Sequence, residues 1–212
     1  MTGRIHILGP QSPNPNLAKI ISDVVETGPL AVINAGWRHD EDDLNALARD
    51  LKRQLLHLPL YRWFDELGQR EPELSGLHRE RQKAIKAYKK VYRIQLRAAF
   101  DIWNRIRRLS SAHPGQYTQD EEDACASVRV ADRRALERIA QIRDQFPEIK
   151  RPWEHPSTKP HQDAIDRKLN EAEALLITGG HVAILRNRLH FFGLNKSIMD
   201  FHRSGKPIII FA

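Results

Sequence analysis

Hydrophobic positions follow two different rhythms along the chain. In the first and last thirds, short apolar runs alternate with amphipathic stretches. In the middle, apolar residues recur every three or four positions for many turns. Residues 4–8 form a short apolar run closed by "GPQSPNPN". Asn16 is placed to cap a helix carrying Leu17, Ile20, Ile21, Val24 and Val25, which Gly28-Pro29 ends. "LAVINAG" predicts a second buried strand. "RHDEDD" then predicts a helix start, with Asp40 as N-cap and Asp42 and Asp43 in the first turn, where carboxylates favour the positive end of the dipole. Leu44, Leu47, Ala48 and Leu51 continue that helix. "QLLHLPLY" predicts a third strand, weakened by Pro59.

From about residue 62 to 145 strand signals vanish. Ile85, Tyr88, Tyr92, Leu96, Ala99, Trp103 and Ile106 trace one face of a long helix. "SSAHPGQYTQ" predicts a turn. A second helix runs from Gln119 through Val128, Leu136, Ile139 and Ile142 towards Pro147. Alternation then resumes. Ala164, Ile165 and Leu169 mark a helix, and residues 174–178 a strand ending at Gly179-Gly180. The next helix carries Ile184, Leu185, Leu189 and Phe192. Asn195 is placed to cap a short helix with Ile198 and Phe201 that stops at Gly205, and "PIIIF" is the last strand. Strands alternating with helices imply a parallel sheet with right-handed crossovers. The expected fold is α/β and three-layered. Its core comprises residues 1–61 and 153–212, and residues 62–152 form an inserted helical hairpin.

Charge changes this picture in one place. Residues 79–108 hold 11 Lys and Arg against Glu80 and Asp101, whereas the whole chain carries +7, so the rest is close to neutral. Lys86, Lys89, Lys90 and Arg93 are therefore candidate contacts for nucleic acid or a protein partner, and self-association through this segment is a further reading. Against these stands a solvated face, or one paired with the acidic "DEEDAC" of the second helix. Tyr88, Tyr92 and Trp103 fall on the apolar stripe, which argues for packing rather than base stacking.

Cys125 is the sole cysteine, which excludes an internal disulfide framework and fits a reducing compartment. No apolar stretch reaches membrane-spanning length, so a cytoplasmic protein without membrane contact is expected. The histidines, including His155 and His161 in one loop, lack zinc-type spacing. No metal and no cofactor is expected. His6 and His57 fall in strand-like runs and are expected in the core or at an edge.

Chemistry concentrates in "ALLITGGHVAIL", where a buried strand meets Gly-Gly and then a helix. In open α/β sheets ligands bind at the carboxyl ends of strands, and glycines there leave backbone N–H groups uncovered. Such amides bind phosphate or a developing oxyanion. The plainer reading is a tight turn. Together, "LGPQSPNPNL", "AVINAGWRHDE", the Gly179-Gly180 turn with its helix, and "GKPIIIFA" resemble the peptidase E and cyanophycinase family. That family sits in the class I glutamine amidotransferase-like superfamily, which has a flavodoxin-like sheet. The resemblance covers about residues 1–60 and 155–212. It implies a serine-hydrolase site in which Gly179 and Gly180 form the oxyanion turn. His181 departs from an Asn frequent in the family. The resemblance also places the final strand's nucleophile at position 212, which here is Ala212. Alanine has no lone pair to attack with. The chain is thus expected to be inactive as written: a truncated enzyme, or a descendant keeping the fold for another purpose. The rival reading is a non-enzymatic interaction module using the basic hairpin.

Overall fold

A computed structural model describes residues 2–13 and 15–212; Met1, and Asn14 within the "GPQSPNPN" stretch, lie outside the described residues. Five parallel strands form one sheet: β1 (Ile5–Ile7), β2 (Leu30–Ile33), β3 (Leu55–His57), β4 (Ala174–Thr178) and β5 (Ile208–Phe211), in the order β1-β5-β4-β2-β3. The helices are α1 (Leu17–Val24), α2 (Asn45–Leu51), α3 (Leu60–Arg70), α4 (Pro72–Ala112), α5 (Thr118–Asp144), α6 (Lys159–Glu171), α7 (Val182–Phe191) and α8 (Leu194–Arg203). No helix among the described residues is long and apolar enough to cross a membrane.

The strand order follows from burial. β2 and β4 lie in the middle of the sheet, and every residue of "LAVI" and "ALLIT" is buried. Strands covered on both faces read as unbroken apolar runs. β1 is an edge strand, and its Ile5 and Ile7 remain 53% and 78% exposed. The crossovers β1-α1-β2 and β2-α2-β3 advance across the sheet in one direction, whereas β3 to β4 and β4 to β5 return. Right-handed connections therefore put α1 and α2 on one face and α6, α7 and α8 on the other. Leu17 and Ile21 of α1 accordingly cluster with Leu47 and Leu51 of α2 over Leu30, Leu176 and Ile209.

Two compact units divide the chain: residues 1–72 with 151–212, and residues 73–150. The expected boundaries of 61/62 and 152/153 shift because α3 belongs to the sheet-bearing unit. There its Phe64 ring meets Phe191 of α7 edge-on at 4.8 Å between centroids. In the second unit, α4 and α5 run antiparallel around a short turn, and Tyr92 Oη donates to Asp132 Oδ1 at 2.6 Å. Ser110, Ser111 and Ala112 stay helical, and Ser111 Oγ is absorbed by the Arg107 carbonyl at 2.8 Å. The predicted turn is therefore confined to residues 113–117, where Gly115 takes φ +84°.

Three predicted caps differ. Asp40 does not start a helix: Ala35–Asp40 forms 3-10 turns interrupted at Arg38, and α2 begins only at Asn45. Asn16 precedes α1 without a side-chain cap; Gln11 does that work through Oε1, which accepts from the Asn16 and Leu17 amides at 3.0 and 2.9 Å. Gly193, at φ +63°, precedes α8 in place of Asn195 because the left-handed turn out of α7 suits glycine.

Candidate functional site

At the β2–β4 boundary the following connections leave for opposite faces of the sheet. Such a switch point opens a crevice at the carboxyl ends of the strands, where open α/β sheets place ligands. Residues 34–37 arrive from β2, and residues 179–181 from β4. The end of β5 stands next to β4, with Thr178 in register with Phe211.

Glycine is required here by close backbone approach. A Cβ on Gly36 would lie 2.4 Å from the Gly179 carbonyl oxygen. One on Gly180 would lie 2.6 Å from the Gly36 oxygen, and Gly180 also takes φ +101°. A Cβ on Gly179 would meet the Ala212 Cα at 2.9 Å. The obstacles are backbone atoms, so no rotamer change relieves them. The His181 amide donates to the Gly36 carbonyl at 2.8 Å and locks the two loops together. The Gly180 amide donates to no backbone carbonyl among the described residues. α7 begins just beyond, with His181 as its N-cap, accepting from the Ile184 amide through Nδ1 at 3.4 Å. From the other side, the Gln11 amide donates to the Ala212 carbonyl at 3.0 Å. The structure thus brings Gly179 against Ala212 and Gly180 against Gly36, whereas Lys86, Lys89, Lys90 and Arg93 belong to α4 in the other unit.

A second group of side chains sits at the carboxyl ends of β2 and β3. Asn34 is fully buried. Its Nδ2 donates to the Glu41 carbonyl at 2.6 Å, which leaves Oδ1 to accept from His57 Nε2 at 2.9 Å. Burial pushes the His57 pKa down to about 4, so the ring is neutral at pH 7 and protonated on Nε2. Glu41 is 1% exposed. Its two carboxyl oxygens accept from the Tyr61 and Arg62 amides, each at 2.9 Å, and so cap α3. Those amides favour the anion, but burial outweighs them and raises the pKa to about 7. Asp42 pairs with Arg62 at 2.8 Å. Arg188 lays its guanidinium on the Phe64 ring, 3.5 Å from the centroid, and approaches Asp65 at 3.9 Å.

These groups adjoin a cleft of about 210 Å³ lined by Arg38, His39, Glu41, Tyr61 and Arg62 among others. Arg38 holds φ +63° and ψ −118°, a strained conformation for a residue with a Cβ. Asn34, Glu41, Arg188 and Gln11 escape the sequence reading. Each acts through a partner distant in the chain, and Glu41 is hidden in an acidic run whose other members are solvated. His57 lies on the edge strand β3, as its strand-like run implies.

No protein-family model, curated protein or solved structure matches the chain.

Proposed function

We propose that the sheet-bearing unit is a serine-hydrolase-like domain of the peptidase E and cyanophycinase type, within the class I glutamine amidotransferase-like superfamily, and that residues 73–150 are a helical hairpin inserted into it. Removing the edge strand β1 from consideration leaves four strands in an order equivalent to 2-1-3-4, the arrangement of flavodoxin-like sheets. The observation that carries the functional reading is the contact between Gly179 and Ala212. Gly179 stands against Ala212, the residue just after β5, and the next amide, that of Gly180, has no backbone acceptor among the described residues and lies just before the α7 N-terminus. An oxyanion donor beside a nucleophile in acyl transfer would need such a neighbourhood, and this supports the reading.

With alanine at position 212 the covalent step has no attacking atom, and by analogy with other serine hydrolases turnover falls about a millionfold. What remains is recognition: the turn holds an oxyanion or acyl group without cleaving it. Titration of the labelled protein with a dipeptide phosphonate, a stable mimic of the tetrahedral intermediate, tests this by amide chemical shifts. The expected shifts centre on Gly179, Gly180 and His181 and are lost in Gly180→Ala. Saturating phosphonate with no shift in these amides would sink the assignment.

A further inference from the structure

The second unit buries little of itself. On α4 the buried residues are Leu74, Ser75, His78, Arg81 and Ile85, and none follows towards the turn. Yet that outer part carries two apolar stripes. One faces α5 through Tyr92, Leu96, Ala99, Trp103 and Ile106, all half-buried. The other comprises Val91, Ala98, Ile102 and Leu109, with Ile94 on its flank. Val91, Ile94, Ile102 and Leu109 are 49%, 72%, 55% and 53% exposed. At about 100° per residue this second stripe lies roughly 110° around the helix from the first. Its spacings of seven, four and seven residues are those of a coiled-coil seam. A long helix of this composition draws its stability from covering such a face.

The stripe is complementary to itself when reversed. Laid antiparallel on a second copy about residue 100, Val91 comes level with Leu109 and the small Ala98 with the large Ile102. α5 repeats this symmetry on the same side of the hairpin. Its exposed Asp120, Asp123, Ser127, Arg134 and Arg138 lie roughly 75° around the helix from the face that carries the buried Ala124 and Ala135. Reversal about Ser127 brings Asp120 level with Arg134 of the second copy. The Tyr92–Asp132 bond sets residue 124 of α5, and the turn from Ala112 to Thr118 sets residue 130, opposite residue 100 of α4; Ser127 lies midway, so the two centres of reversal fall within about one helical turn of each other. No ion pair joins Asp120 or Asp123 to an arginine within the unit among the described residues.

We infer that residues 73–150 form a homodimerisation element, in which two copies of this chain pack their hairpins face to face and antiparallel, with the α4 stripe as the apolar seam and the α5 acidic and basic positions as the register. Lys86, Lys90, Arg93 and Arg97 lie on another side of α4 and stay outside this face.

Sedimentation of the full chain should give a dimer. Ile102→Glu should give a monomer of unchanged helicity by circular dichroism. Asp120→Arg with Asp123→Arg, and separately Arg134→Asp with Arg138→Asp, should each raise the dimer Kd about tenfold or more, and mixing the two variants should restore a heterodimer. In a Cys125→Ser background, Ser127→Cys should cross-link between copies on mild oxidation, whereas Leu136→Cys, on the opposite face, should not. A monomeric wild type, a dimer indifferent to Ile102→Glu, or equal cross-linking at both positions would overturn the inference. So would a monomer whose stripe is protected only when RNA or another protein is added.

Discussion

The two units spend their apolar residues differently. In the sheet-bearing unit, β2 and β4 are buried at every position, and four glycines (Gly3, Gly36, Gly179 and Gly180) are dictated by backbone atoms closer than 3 Å to where a Cβ would stand. In the two-helix unit the outer turns of α4 carry Val91, Ile94, Phe100, Ile102 and Leu109 at 45–72% exposure. One unit is overdetermined by contacts between distant residues. The other is determined mainly by helix periodicity and a single seam. Precise positioning of a site belongs to the first kind of unit, and adaptable association to the second.

The contrast breaks most readily at the glycines. Gly36→Ala should cost about 3 kcal/mol or more, because the added methyl meets the Gly179 carbonyl and only backbone movement relieves it. Leu136→Ala, at a position 70% exposed on α5, should stay within about 0.5 kcal/mol. Urea unfolding curves measure both. Comparable losses would mean that the units are not packed as differently as described.

Next in size is the response to pH. Glu41, raised to about 7 from an ordinary 4.5, holds its proton more tightly in the folded state, so its contribution is full below pH 4.5 and is lost as pH rises through 7. His57, lowered to about 4 from 6.5, contributes above pH 6.5, and that contribution is lost as pH falls through 4. The two slopes oppose each other over nearly the same range, each worth up to about 3 kcal/mol. Wild-type stability should therefore be nearly flat from pH 4.5 to 6.5. Glu41→Gln should unmask a rise in stability with pH across 4 to 6.5, and His57→Gln a fall across 4.5 to 7. Parallel profiles for all three proteins would remove this pair from the description of the sheet-bearing unit.

A smaller effect sharpens the link between the sheet edge and its helix. Gln11→Ala should cost about 1 kcal/mol, the usual loss of a helix cap, because the Asn16 and Leu17 amides lose their acceptor. Hydrogen exchange should then quicken at the start of α1 and leave α5 unchanged.

The elements that the sequence made legible are those fixed by local pattern. "LAVI", "ALLIT" and "IIIF" form strands because unbroken apolar runs suit a sheet covered on both faces. The parallel α/β class follows from their alternation with helices. The misread caps share one cause. Asp40, Asn16 and Asn195 are good capping residues, but contacts outside the one-turn capping pattern decide their surroundings: Glu41 turns inward to cap α3, Gln11 caps α1 from five and six residues upstream, and the Trp153 ring lies where a side chain on Gly193 would go. At the site, Gly179 and Gly180 are visible as a pair because strand, glycine and helix are consecutive. Gly36 is not, because its need for glycine arises only when β2 and β4 become neighbours.

The most direct test of the proposed site places a titratable atom at position 212. In a Cys125→Ala background, Ala212→Cys puts a thiol against Gly179, where an oxyanion site would stabilise the thiolate. The thiol pKa, read from the pH dependence of alkylation, should be at least about one unit lower in the folded protein than in the same protein unfolded in urea. A folded value equal to or above the unfolded one would contradict the account.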